Sequence, residues 1–216
     1  MKYIYFVRHG TTVGNEANEF QLPTIPLSEK GLEEASFLSE RFESIPIEVI
    51  FSSTMKRALQ TAEIIGSHLG QSVTGSELFE EIKRPSFVRG KSKSDPEVKS
   101  TMREVKAHFT DPNWRHSDEE NFYFAKERAQ RALAFILDRK EESILVVTHG
   151  EILRMMLSII VFGDEVTPEI YDGMKKSFIP FNTGISKIEY DKEIGDKESG
   201  WYVLTWNDHA HLGEVT

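Results

Sequence analysis

The chain has 216 residues, of which 28% are charged and 39% hydrophobic, which is typical of a globular protein rather than a disordered or fibrous one. A net charge of −9 argues against broad binding to nucleic acid or to an anionic membrane, so any anionic ligand must be held by a local cluster of basic groups. The lack of cysteine excludes disulfides, thiolate metal sites and cysteine nucleophiles, and no apolar run approaches the roughly 20 residues of a membrane span, so the cytoplasm is the default location.

Three short apolar runs predict the buried strands of a parallel or mixed sheet. All three are rich in β-branched and aromatic residues, and polar or glycine-containing turns bound them. They extend from Tyr3 to Val7, from Ile47 to Phe51 and from Ile144 to Val147.

A helical pattern follows each predicted strand. Ser28 is placed to cap the first helix, whose apolar residues recur in steps of three and four. The second helix has the same spacing and ends at Gly70. The third, Ile152 to Phe162, is apolar nearly all round and is therefore predicted to be buried. This alternation is typical of a layered α/β domain with helices on both faces of the sheet.

The sequence between the second and third of these units predicts a helical cap over the sheet edge. Asp95-Pro96 is typical of a helix start, and a capping box at Ser117 to Glu120 predicts a further helix that runs to about Lys140. We expect the cap to cover residues of about 83–120.

The last predicted element is a hairpin. Ile185 to Tyr190 and Trp201 to Trp206 are strand-like, and the polar turn of residues 191–200 separates them. We therefore predict one α/β domain over residues 1–216. It is a three-layer sandwich with a mostly parallel, mixed central sheet, helices on both faces and a helical cap insertion. Ligands of such folds gather beyond the carboxyl ends of the strands.

Two His-Gly turns follow two of the predicted strands. Arg8 to Thr11 comes directly after the first strand, and Thr148 to Glu151 comes directly after the third. If those strands are neighbours, the imidazoles of His9 and His149 lie together at their carboxyl ends. Without cysteine or a third ligand at metal spacing, the two histidines make a poor metal site but a reasonable catalytic pair.

The segment Ser52 to Ala58, after the second strand, has two interpretations. Hydroxyl groups at a helix start, with Arg57 in the first turn, form a ready anion site. The simpler interpretation is a helix cap followed by a solvated basic residue. Beside Arg8, however, Arg57 completes a guanidinium clamp for a planar or tetrahedral oxyanion.

Taken in order, these motifs resemble the histidine phosphatase superfamily, which is also called phosphoglycerate-mutase-like. The resemblance runs from residue 3 to about residue 190 and is weakest in the helical insertion. The matching motifs are Arg8-His9-Gly10-Thr11 with Asn15, Leu27-Ser28 with Gly31, Ser52-Ser53, Arg57-Ala58, Gln60-Thr61-Ala62, Glu80-Glu81-Ile82, Thr148-His149-Gly150 and Asn182-Thr183-Gly184.

The resemblance implies that His9 is a nucleophile that takes a phosphoryl group as phosphohistidine, which water then hydrolyses. An imidazole attacks only with a free lone pair, so His9 must be neutral, and Arg8 and Arg57 disfavour its protonation. By the same resemblance no metal or cofactor is implied, because cationic side chains stabilise the phosphoryl oxygens. The residues expected to contact substrate are Arg8, Thr11, Asn15, Arg57, His149 and Gly150.

The family also places a glutamate after the second helix to protonate the leaving oxygen. Glu80 and Glu81 compete for this role here, and Glu81 is preferred because it precedes an apolar residue, as the family's acid does. General-acid catalysis requires a protonated carboxyl at working pH, so we expect an acid-shifted optimum with poor leaving groups.

One departure from the family concerns the substrate side of the pocket. Many relatives carry Gly-x-Trp-Glu-Gly shortly after the acid, whereas this chain has three basic residues there, Lys83, Arg84 and Arg89. They suggest a small substrate with further anionic groups, although a solvated basic loop explains them about equally well.

The leading prediction is a metal-independent phosphomonoester hydrolase of the phosphatase branch. The alternatives are a phosphoglycerate-type mutase, which uses the same phosphohistidine, and a catalytically silent module that binds a phosphorylated ligand. The expected partner is a small phosphorylated molecule, with no nucleic acid and no membrane, and the oligomeric state stays open.

Overall fold

A computed structural model describes residues 1–193 and 200–213. Within those ranges six strands form one sheet: β1 Lys2–Arg8, β2 Val49–Ser52, β3 Val73–Gly75, β4 Ser143–Thr148, β5 Ile185–Tyr190 and β6 Trp201–Asp208. Their spatial order is β3-β2-β4-β1-β5-β6. β5 is antiparallel to both of its neighbours, and the pairs among β1 to β4 are parallel, so the predicted mixed, mostly parallel sheet is confirmed.

Helices connect and cover these strands. In the described ranges the α-helices are α1 Val13–Glu16, α2 Glu29–Phe42, α3 Lys56–Leu69, α4 Pro96–Ala107, α5 Phe122–Leu137, α6 Gly150–Phe162 and α7 Pro168–Ser177. The predicted caps are present: the Ser28 hydroxyl accepts a backbone N–H at the start of α2, and Gly70 ends α3 in the left-handed conformation. No helix in the described residues is long and apolar enough to cross a membrane.

The apolar side chains of the sheet alternate between two cores. On β1, Ile4 and Phe6 belong to the core shared with α5 and α6, whereas Tyr5 and Val7 belong to the core shared with α2 and α3. Each such buried side chain contributes roughly 1.5–3 kcal/mol. This packing confirms the predicted α/β architecture with helices on both faces.

The loop that follows β1 lies directly on the first turn of α2. A Cβ atom on Gly31 would lie 1.9 Å from the Thr11 carbonyl oxygen, and one on Gly10 would lie 2.6 Å from the Gly31 carbonyl oxygen. Only glycine permits this approach of two backbones, which fixes the His9 loop against α2.

The capping box predicted at Ser117 to Glu120 is wrong, because α5 begins only at Phe122. The Glu119 carboxylate accepts backbone N–H groups from the residues before it, so it closes a loop instead of a helix turn. Asn121 is the actual cap, since its side chain accepts the next two free N–H groups of α5. The helix ends at Leu137, slightly before the predicted position.

Other differences from prediction are small. The second strand begins two residues later than expected, and β3 and α7 were not predicted because their sequences carry little apolar pattern. The C-terminal hairpin is confirmed, although residues 194–199 of its predicted turn lie outside the described ranges.

Candidate active site

The two His-Gly turns lie side by side, as predicted. β1 and β4 are adjacent and parallel with Arg8 opposite Thr148, so both turns leave the same edge of the sheet. The backbone N–H of His9 donates to the Thr148 carbonyl at 3.0 Å, and the centres of the His9 and His149 rings are 5.0 Å apart.

His9 is fixed as one neutral tautomer. Its Nδ1 lies 2.7 Å from the Gly10 carbonyl oxygen, which only accepts, so Nδ1 carries the ring proton. Its Nε2 accepts from Arg57 Nε at 3.1 Å and therefore presents a lone pair. Desolvation, reinforced by the charges of Arg57 and Arg8, holds the pKa of His9 well below its ordinary value. His9 is therefore an uncharged imidazole at neutral pH.

His149 offers a buried donor beside this lone pair. Its Nε2 lies 2.8 Å from the hydroxyl oxygen of Ser53, and its Nδ1 is buried without a partner among the described residues. When Ser53 donates to Nε2, the ring proton lies on Nδ1. Desolvation, followed by the charge of Arg57, lowers the pKa of His149 well below its ordinary value, so it too is neutral.

Two guanidinium groups flank the imidazoles. Arg8 donates from Nη1 to the Pro180 carbonyl at 2.7 Å, while its Nε is buried and has no partner within the described chain. Arg57 is buried as well, and desolvation lowers its pKa to about 10, so it keeps its charge at neutral pH. Arg57 also donates from Nη1 to the Leu22 carbonyl at 3.3 Å and from Nη2 to the Met55 sulfur at 3.2 Å. At this site, the buried side-chain nitrogens without a partner among the described residues are therefore Arg8 Nε and His149 Nδ1, and an unpaired buried donor is costly unless an acceptor reaches it.

The two candidate acids occupy different positions. The Glu81 carboxylate accepts backbone N–H groups from Glu151 and Ile152, at the N-terminus of α6, at 3.0–3.1 Å. The Glu80 carboxylate accepts instead from the Thr54 hydroxyl. Both line the same cavity as His9, so the choice of Glu81 over Glu80 stays a prediction.

The remaining predicted contact residues are divided. Asn15 lines the cavity, and its Oδ1 accepts from Thr12, which leaves its amide nitrogen as the available donor. Gly150 also lines the cavity, as the first residue of α6. Thr11 does not line it, because both its N–H and its hydroxyl donate to the Glu34 carboxylate.

The cavity around His9 has a volume of about 550 Å³ and a basic lining. Two of its arginines form ion pairs with carboxylates: Arg89 Nη2 lies 2.8 Å from Asp118 Oδ2, and Arg154 Nη2 lies 2.6 Å from Glu151 Oε1. Desolvation and the charges of Arg8 and Arg84 lower the pKa of Lys93, which also lines the cavity. The lining basic residues outnumber its five acidic residues and are Arg8, Arg57, Lys83, Arg84, Arg89, Lys93 and Arg154.

Three residues of this site were given no role from the sequence, although two of them, Glu151 and Asn182, lie in motifs quoted above. Glu34 orients the His9 loop through Thr11, and its position one step before Ala35 on the apolar face of α2 was the available signal. Glu151 pairs with Arg84 and Arg154 of the cavity wall and with Lys175 outside it, and it is the last residue of the segment that contains the second His-Gly turn. Asn182 donates from its side-chain Nδ2 to the backbone carbonyl of His9 at 2.7 Å, which helps to fix the backbone of the His9 loop.

The structure is that of an α/β protein in which two neighbouring histidines and two buried arginines lie together at the carboxyl edge of the sheet. Residues 4–209 match the family model of the histidine phosphatase superfamily, branch 1. The chain therefore belongs to the histidine phosphatase superfamily.

Individual relatives are similar over nearly the whole chain. The probable phosphoglycerate mutase GpmB of Salmonella arizonae is 31% identical over 98% of this chain and 95% of that protein. Among solved structures, Bacillus stearothermophilus YhfR has a TM-score of 0.81 and 28% identity, covering 98% of this chain and 100% of the other. The phosphoserine phosphatase of Entamoeba histolytica, solved with 3-phosphoglyceric acid, has a TM-score of 0.76 at 22% identity, covering 98% and 100% of the two chains, and shares the fold.

Proposed function

We propose that this protein is a metal-independent phosphomonoester hydrolase that acts through a phosphohistidine on His9. The observation that carries the proposal is the His9 tautomer: Nδ1 is held by the Gly10 carbonyl, and Nε2 presents a lone pair in a cavity rich in guanidinium groups. A neutral, oriented imidazole surrounded by cations is what nucleophilic attack on a phosphate ester requires.

In the first step, His9 Nε2 attacks phosphorus and the bond between phosphorus and the ester oxygen breaks. Arg8 and Arg57, which line the cavity, donate to the phosphoryl oxygens, with the Asn15 amide as a further donor. His149 is fully buried and is not part of the cavity lining, and it donates through its unpartnered Nδ1. Before substrate binds, the Nε–H of Arg57 donates to the lone pair of His9 Nε2. Once substrate is bound, it donates to a phosphoryl oxygen instead. The leaving oxygen takes a proton from the Glu81 carboxyl and departs as an alcohol.

In the second step, water attacks the phosphohistidine. Glu81, now a carboxylate, takes a proton from the water as its oxygen bonds to phosphorus, and the bond between phosphorus and Nε2 breaks. Inorganic phosphate leaves, the lone pair returns to His9, and Glu81 is again protonated for the next turnover.

The substrate we propose is a small phosphorylated metabolite with a further anionic group. Arg8, Arg84 and Lys93 line the same cavity, and desolvation, followed by the charges of Arg8 and Arg84, lowers the pKa of Lys93. A second anionic group bound among them would relieve this repulsion. Arg89 contributes less, because it already forms an ion pair with Asp118, and Lys83 is exposed, as Lys93 is.

The direct test is release of inorganic phosphate from phenyl phosphate in excess EDTA, between pH 4.5 and 8. We expect turnover that EDTA leaves unchanged. A rate that EDTA abolishes and that an added divalent metal restores would contradict the metal-independent mechanism.

A phosphoglycerate-type mutase is the second candidate, because the GpmB relative carries that name. The two activities separate in one experiment with 3-phosphoglycerate as substrate. A hydrolase releases inorganic phosphate, whereas a mutase returns the phosphoryl group and forms 2-phosphoglycerate. A protein that binds the ester and forms neither product would be the silent binding module.

Replacing Glu81 with glutamine should reduce kcat by about 10²- to 10⁴-fold for alkyl phosphates, whose leaving alkoxides need a proton. The same change should slow hydrolysis of 4-nitrophenyl phosphate much less, because nitrophenolate leaves without taking a proton. Glu80→Gln is the matched control, one residue away and in the same cavity, and should slow alkyl phosphates no more than 4-nitrophenyl phosphate. If Glu80→Gln produced the difference instead, Glu80 would be the acid.

A further inference from the structure

A second cavity of about 550 Å³ lies between α4 and α7. Most of its lining is apolar, and three aromatic rings, those of Phe20, Phe109 and Tyr171, contribute to it. Its aliphatic side is formed by Met102, Val105 and Pro168. A space of this size and lining is typical of a small-molecule site.

The second cavity adjoins the catalytic cavity. Phe20 and Arg84 line both of them. Glu151 lines the catalytic cavity, and its carboxylate accepts from the Tyr171 hydroxyl at 3.1 Å and pairs with Lys175 at 3.4 Å, both of which line the second. The wall between the two cavities is therefore a layer of side chains.

Arg84 is the adjustable part of this wall. Its carbonyl accepts two bonds from the Arg89 guanidinium, at 2.9 and 2.7 Å, which fixes its backbone. Its own guanidinium lies 3.8 Å from the Glu151 carboxylate, beyond hydrogen-bond distance. The side chain can therefore turn aside without moving the loop that carries it.

The charges around the second cavity are balanced. Its basic residues are Arg84, Lys106 and Lys175, and two of these pair with Glu151. Glu169 and Asp172 supply two further carboxylates in the lining. The lining therefore carries three basic and two acidic residues, and Glu151, which lines the neighbouring cavity, pairs with two of the basic ones. Little uncompensated positive charge is left for a second phosphate, so the apolar lining favours an apolar group.

We infer that the second cavity binds the distal, apolar part of the substrate's leaving group. The inference rests on the proposed function, since it assumes that the phosphate lies at His9. The substrate class is then an extended phosphomonoester: phosphate at His9, a linker that carries the further anionic group past Arg84, and a ring-sized apolar group among Phe20, Phe109 and Tyr171.

A series of ω-phenylalkyl phosphates with two, four and six methylene groups tests this directly. Their leaving alcohols differ little in acidity, so the chemical step stays constant while the reach of the ring increases. We expect kcat/KM to rise by roughly ten-fold or more along the series, because burial of an apolar ring contributes at least that much to binding. Equal kcat/KM values along the series, with turnover intact, would overturn the inference.

Met102→Trp should fill the second cavity from α4 and remove the dependence of kcat/KM on chain length. Arg103→Trp is the matched control, because it is the next residue of the helix, is exposed and does not line the cavity. Arg103→Trp should show the same rise of kcat/KM with chain length as the wild-type protein. A dependence on length that survives Met102→Trp in a folded protein would contradict the placement of the ring.

Calorimetric binding of the corresponding ω-phenylalkyl phosphonates separates this inference from the proposed hydrolysis. If no ester is hydrolysed but phosphonate affinity still rises with length and falls in Met102→Trp, the second site stands and the hydrolase proposal fails. If esters are hydrolysed but phosphonate affinity is independent of length, the hydrolase stands and the second site fails.

Discussion

Replacement of His9 with alanine is expected to lower phosphate release by about 10⁵-fold or more, the effect of removing an attacking nucleophile. The methyl group offers no lone pair to phosphorus. Arg57 cannot take its place because a guanidinium only donates, and the Nε2 lone pair of His149 is occupied when the Ser53 hydroxyl donates to it. The measurement is single-turnover release of phosphate from phenyl phosphate in EDTA, with the folded state checked by circular dichroism.

His68→Ala is the matched control for this variant. His68 is exposed in the last turn of α3, away from the cavity, so its removal should leave the rate within about two-fold. A His9→Ala protein that keeps a tenth of the wild-type rate would show that water attacks the ester directly.

Replacing Arg57 with methionine should cost about 10³- to 10⁵-fold in kcat/KM, as loss of an arginine that stabilises a phosphoryl transition state does. Methionine keeps much of the buried volume but removes both the charge and the bond from Nε to His9. Lys56→Met is the control, because it removes a neighbouring, exposed charge from the same helix turn and should have little effect.

The Arg57 change should also move the pH profile in a defined direction. Only neutral His9 attacks, and its pKa lies well below the ordinary value, so the wild-type nucleophile stays active as pH falls through 6.5. Desolvation is the largest cause of the lowered pKa of His9, and the positive charge of Arg57 is the next. Loss of Arg57 therefore raises the pKa of His9. The acid limb of kcat/KM should therefore move to higher pH in Arg57→Met, measured with the same substrate, and an unmoved limb would contradict the assigned contact.

The catalytic edge of the sheet could be predicted because short-range patterns determine it. The apolar runs of β1 and β4 end at His-Gly turns, and the strands pair in register, so sequence order alone suggested that His9 and His149 meet. Arg57 followed from its place in the first turn of a helix after β2.

The substrate side could not be predicted, since contacts distant in sequence arrange it. Arg128 reaches from α5 to the Glu120 carboxylate and to the carbonyls of Leu78 and Glu80, which draws the loop before α5 away from a helical start. No pattern near Glu120 indicates a partner in the helix that follows. Likewise, the Glu151 cluster depends on α7, which the sequence pattern did not reveal.

The most direct test of the central claim is to trap the phosphoenzyme. The wild-type protein is mixed with phenyl phosphate, quenched in alkali within one turnover, and its peptides are mapped by mass spectrometry. Nucleophilic attack by His9 predicts a phosphoryl group on Nε2 of His9 that forms and decays at least as fast as phosphate is released, and that is absent from His9→Ala. Full-rate phosphate release with an unmodified His9 peptide, or with the phosphoryl group on another residue, would contradict it.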